Sequence, residues 1–93
     1  MAATDLQFSK NSENRYEAQF VSEGAVTIQM ERSGSGYINV YANLDGMDKK
    51  FIGGYGSYNG GSNEVFTVDV PSGITVTIES LQEVVSAKML SNG

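Results

Sequence analysis

Apolar and polar side chains alternate with a period of two along most of the chain. Val26, Ile28 and Met30 alternate with Thr27, Gln29 and Glu31. Phe66, Val68 and Val70 alternate with Thr67 and Asp69, and Ile74, Val76 and Ile78 with Thr75, Thr77 and Glu79. Tyr16, Ala18 and Phe20 alternate with Glu17 and Gln19. Successive side chains of a strand point to opposite faces, so each segment predicts a strand with one buried face. Tyr37–Ala42 and Phe51 to Tyr55 read as two further strands, and Leu6–Phe8 as a short one. The turn residues fall between these runs: Glu23-Gly24, Ser33-Gly34-Ser35-Gly36 and Pro71-Ser72-Gly73. In the last, Pro sets one dihedral and Gly supplies a positive φ. Short strands at regular spacing with Gly-rich turns predict an all-β, antiparallel, jelly-roll-like β-sandwich of about seven to eight strands.

The C-terminal segment admits two readings. Ser80-x-x-Glu83 has the form of a capping box, with Leu81, Val84, Val85 and Met89 on one helical stripe and Asn92-Gly93 as its stop. As a strand, the segment places Val85, Ala87 and Met89 inward and returns as a hairpin from Ile78, covering an open edge. The strand is preferred.

Length and composition narrow the chemistry. Ninety-three residues make one domain, 1–93, with residues 1–5 as an N-terminal arm. The net charge of −5 carries no Lys/Arg patch, so nucleic acid is not an expected partner. The one adjacent basic pair, Lys49-Lys50, follows Asp45 and Asp48. There is no cysteine, which excludes disulfides and thiolate zinc sites, and no histidine. Together these remove the usual general base, metal ligand and activated nucleophile, so an enzyme is not expected. No apolar run is long enough for membrane insertion by a helix. Met1-Ala2-Ala3-Thr4-Asp5 has neither the basic nor the apolar region of a secretory signal, which favours action where the chain is made. The compartment stays open, a virion included.

Three segments are candidates for contact. In Tyr37-Ile-Asn-Val-Tyr-Ala42, core-facing Ile38, Val40 and Ala42 send Tyr37, Asn39 and Tyr41 outward, a platform for a sugar or a neighbouring subunit. The alternative packs both tyrosines under a loop. Gly53–Asn63 is rich in Gly, Ser and Asn and carries Tyr55 and Tyr58. Such loops make adaptable contacts, although the same tyrosines could equally shield the core edge. In Asn43-Leu-Asp-Gly-Met-Asp48, the carboxylates Asp45 and Asp48 are candidate calcium ligands, while Asp-Gly is also a favoured hairpin turn. The turn is the preferred reading, with no required cofactor.

Several short motifs bear a resemblance. Arg15-Tyr-Glu-Ala-Gln19 looks like the Tyr-Glu-Ala-Glu opening of jelly-roll carbohydrate-binding modules. Gly36-Tyr37 followed by Val40-Tyr41-Ala42-Asn43 resembles their Gly-Tyr strand ending in Tyr-Ala-Asn. Val70-Pro-Ser-Gly-Ile-Thr-Val-Thr-Ile78 is similar to their penultimate strand. The modules are longer, commonly carry a site Trp, and have Glu where Gln19 stands here. By type alone, the chain also looks like the small decoration proteins of phage capsids. These resemblances imply two functions. The first is a non-catalytic subunit or decoration protein of a larger assembly such as a virion, with protein neighbours and a homo-oligomeric state. Its contacts would come from the arm through Leu6 and Phe8, the Tyr37/Asn39/Tyr41 face and the Gly53–Asn63 loop. The second is a glycan-binding module using Tyr37, Tyr41, Asn43 and Tyr55.

Overall fold

The period-two segments fold as strands of two facing antiparallel sheets. The structure is a computed structural model that describes residues 3–34, 36–55 and 63–91. Among those residues there are nine strands and no helix: β1 Thr4–Asp5, β2 Ser9–Lys10, β3 Tyr16–Val21, β4 Val26–Arg32, β5 Ile38–Asn43, β6 Lys50–Tyr55, β7 Asn63–Val68, β8 Thr75–Ser80 and β9 Val84–Ser91. One sheet has the order β1-β9-β4-β7 and the other β2-β3-β8-β5-β6. The β-sandwich is therefore as expected, and the C-terminal segment is a strand. The expected short strand at Leu6–Phe8 is instead the crossing between two-residue strands, β1 and β2.

The core forms where the alternating apolar faces meet. Ala18, Val26, Ile28, Met30, Ile38, Val40, Phe66, Val68, Val76, Ile78 and Ala87 are buried there, with Leu6 from the β1–β2 crossing. Leu6 was expected at a partner contact, as was Phe8. Leu6 is instead a core residue, and Phe8 is half-buried against the core. The arm is likewise tied down from residue 4, because Thr4 and Asp5 pair with Met89 and Lys88 of β9. Met1 and Ala2 lie outside the described residues.

Consecutive strands mostly change sheets, and this corrects one local expectation. Pro71-Ser72-Gly73, the expected turn, joins β7 to β8, which belong to different sheets, so it is an arch. Ser22 clamps that arch. Its hydroxyl donates to the Pro71 carbonyl and accepts from the Ile74 N–H at 3.1 Å, while its own carbonyl accepts from Gly73 N–H at 2.9 Å. Gly73 has φ of 89°, a conformation that costs an L side chain strain. β9 does not return beside Ile78 as expected: β8 is already held between β3 and β5, and β9 pairs with β4 and β1.

Two bulges redirect side chains. On β9, Arg32 pairs with Val84 and Glu31 with Ser86, leaving Val85 as the extra residue. Val84 then packs on the core, and Val85, expected inward, is 68% exposed. On β6, Val40 pairs with Gly53 and Tyr41 with Phe51, so Ile52 is extra and protrudes.

Candidate functional site

The outer face of the five-stranded sheet carries a linked set of polar and aromatic groups. Its residues come from β3 (Glu17, Gln19), β8 (Glu79, Thr77, Thr75), β5 (Asn39, Tyr41, Asn43) and β6 (Phe51), all set on one side by the register. Glu17 and Glu79 are direct cross-strand neighbours. Like charges so placed repel, and each is offset by a cation. Arg15 Nη1 lies 3.1 Å from Glu79 Oε1, and Lys49 Nζ 3.8 Å from Glu17 Oε2.

The loop before β3 aims Arg15. Asn11 Oδ1 accepts the backbone N–H groups of Glu13 and Arg15 at 2.9 and 3.0 Å, and Asn14 takes a left-handed φ of 61°. Asparagine tolerates both features well. The hydrogen bond and charge of Glu79 raise the Arg15 pKa above its usual value. Glu79 itself is buried, lying under its neighbours on a central strand. It also accepts from the Tyr41 hydroxyl at 3.3 Å. Burial first, and then the Glu79 carboxylate, push the Tyr41 phenol above its ordinary pKa.

Tyr41 links this network to an apolar patch. Its ring meets the Phe51 ring edge-on, with centroids 5.9 Å apart, and Lys49 Nζ stands 4.7 Å above its centre. Beyond Phe51, residues 44–52 are exposed without interruption. Leu44 is 60%, Met47 65%, Phe51 60% and Ile52 48% exposed, four large apolar side chains on one hairpin. The hairpin turns through Asp45-Gly46, with Gly46 at φ of 83° and Met47 N–H donating to the Leu44 carbonyl at 3.0 Å.

Of the expected contact residues, Asn39, Tyr41 and Asn43 share this face, and Tyr37, 46% exposed, lies just before β5. Tyr55 does not join them. Its ring stacks on Phe66 at 4.5 Å and its hydroxyl donates to the Thr67 carbonyl at 3.2 Å, so it closes the core edge. Tyr58 lies outside the described residues. Asp45 and Asp48 are exposed turn residues, and no group of three or more His, Cys, Asp or Glu side chains among the described residues could hold a metal.

Sequence reasoning passed over three groups. The Arg15–Glu79 pair needs the strand order, which alternation does not give. The apolar hairpin side chains were legible singly, but not as one exposed run. Arg32 did carry a signal, because it continues the inward parity of Val26, Ile28 and Met30. It is buried, donating to the Gly36 carbonyl at 2.9 Å with Nη2 3.6 Å from Glu64 Oε1. Loss of hydration lowers its pKa.

A groove of about 500 Å³ lies on the four-stranded sheet, between Phe8 and Val85, with the Asp5–Lys88 ion pair on its lining. Its named polar groups are exposed, and no buried polar side chain converges on it. No protein-family model matches this chain, and no curated protein matches its sequence.

Proposed function

We propose that the chain is a non-catalytic interaction module, a subunit or decoration protein of a larger assembly such as a virion, docking through its β5–β6 hairpin. The observation that carries this reading is the exposed set Leu44, Met47, Phe51 and Ile52 on one hairpin, whose Phe51 ring meets Tyr41. Leaving large apolar side chains in water forgoes roughly 1.5–3 kcal/mol each relative to burial. Clustered exposure of this kind marks contact surfaces, and Phe, Met and Tyr are enriched at interface cores. The carboxylates on the face are matched by cations, an arrangement suited to holding a surface rigid more than to moving protons.

A glycan-binding role is the second reading, favoured by Asn39 and Asn43 beside Tyr41. The Lys49 ammonium over the Tyr41 ring weighs against it, since that ring face would have to be vacated for a sugar to stack.

The test is a Met47→Ser/Phe51→Ser variant, compared with the wild type for the proteins that co-purify from the native source. Loss of those neighbours by a folded variant is the expected result. Retention of all of them overturns the reading.

A further inference from the structure

We infer that the hairpin docks onto a basic protein surface, an apolar depression rimmed by Lys and Arg, an inference that rests on the protein-docking reading above and names the chemistry of its partner. The placement of the six cations supports it. Arg15 and Lys49 are held on the Tyr41 face by Glu79 and Glu17. Lys10 and Lys50 stand opposite Tyr16 and Ala42 in the register, so they belong to the core-facing side of their strands and not to the side of Glu17 and Phe51. Arg32 and Lys88 are on the other sheet, each beside a carboxylate.

Three carboxylates around the patch have no such match. Asp45 and Asp48 on the turn, and Glu13 on the loop before β3, are exposed and form no ion pair among the described residues. After burial and the Glu79 carboxylate, the charge of Glu13 also raises the Tyr41 pKa, so Glu13 lies within electrostatic reach of the face. With Glu17 and Glu79, five carboxylates and two cations surround Tyr41 and the hairpin, −3 of the chain's net −5. Exposed charges farther than about 10 Å apart are largely screened in ordinary salt, so this local sign decides what approaches. Asp45 and Asp48 interleave in the chain with Leu44, Met47 and Phe51, so a partner that buries the apolar side chains also meets the carboxylates. That partner must bring cations to them, because a carboxylate covered without a match loses its hydration. A second copy of the chain offers the same acidic face and is repelled by it.

The probe is the assembly purified from the native source and stripped of this chain, and the readout is the rate at which the full chain rebinds. That rate is expected to fall about tenfold between about 0.05 and about 0.5 M salt. Glu13→Gln/Asp45→Ser/Asp48→Ser, in which serine keeps the turn chemistry, is expected to slow rebinding about tenfold at the lower salt and to flatten the salt dependence. Glu23→Gln/Asp69→Asn/Glu83→Gln removes the same charge from exposed positions elsewhere. It is expected to change the rate by less than about twofold. Circular dichroism verifies that each variant is folded. Equal effects of the two triple variants, or a rate indifferent to salt, overturn the inference. Carbodiimide cross-links from Asp45 or Asp48 to a second copy of this chain overturn it as well. Where Met47→Ser/Phe51→Ser still loses its native neighbours in those cases, the basic partner falls and the docking reading stands. Where that variant retains them, both fall.

Discussion

Glu79 lies on the outer face of a sheet, yet it is buried, and its carboxylate meets both Arg15 and Tyr41. A carboxylate in that position depends on its donors, because an unmatched buried charge loses hydration without return. Arg15→Ala is expected to lower the midpoint of chemical denaturation, and by more than the loss of an ordinary exposed pair does. An exposed pair is available for comparison in Lys88→Ala, which removes the partner of Asp5 and is expected to change stability by at most about 1 kcal/mol. The Tyr41 phenol has a folded-state pKa above its unfolded value, so the folded state holds that proton more tightly. Its contribution is complete below the ordinary tyrosine pKa and is lost as the pH rises through the elevated one. Absorbance titration of tyrosinate should therefore show one late-ionising phenol that disappears in Tyr41→Phe. At the other sheet, Arg32 is buried with Nε and Nη2 lacking hydrogen-bond partners among the described residues. Arg32→Met is expected to leave the melting temperature equal or higher, since apolar replacements of buried ionic groups are often neutral or stabilising. Glu64→Gln, which leaves the guanidinium unmatched, is expected to lower it.

At the scale of the element, alternation was sufficient to place the six long strands over Tyr16–Ser80 to within a few residues. It works because each has one face on the core, as Val26/Ile28/Met30 do against Thr27/Gln29. It fails where the pairing slips. Val85 was expected inward because parity from Ala87 and Met89 points there, and the bulge opposite Glu31 and Arg32 transfers that place to Val84. Tyr55 was ambiguous for a different reason: a tyrosine among glycines can face either way, and only the position of Phe66 on β7 settles it. The Pro71–Gly73 turn shows a further limit. Its residues announce a change of direction, but not whether the chain returns within one sheet or crosses to the other. As an arch it depends on Ser22, a residue distant in sequence. Ser22→Ala is expected to cost about 1–3 kcal/mol through the two bonds of its buried hydroxyl. Gly73→Ala is expected to cost about 1–2 kcal/mol from backbone strain alone, since nothing within 4 Å would meet the added methyl group. Both costs can be read from urea midpoints.

For the whole molecule, two sheets close over one interior, and four of the nine exposed large apolar side chains among the described residues lie on the hairpin beside Tyr41. Composition limits the side-chain chemistry on offer, because the chain has no histidine and no cysteine. It does not single out the hairpin, since Leu44, Met47, Phe51 and Ile52 read as unremarkable strand and turn residues until the structure shows all four exposed. The central claim is that this hairpin is covered in the assembled state. Hydroxyl-radical footprinting of the protein alone, and of the assembly purified from its native source, tests it most directly. Met47 and Phe51 should be labelled in the free chain and protected in the assembly, while Val85 on the opposite sheet stays labelled in both. Equal labelling of Met47 and Phe51 in the two states, with protection appearing at Val85 instead, would contradict the account.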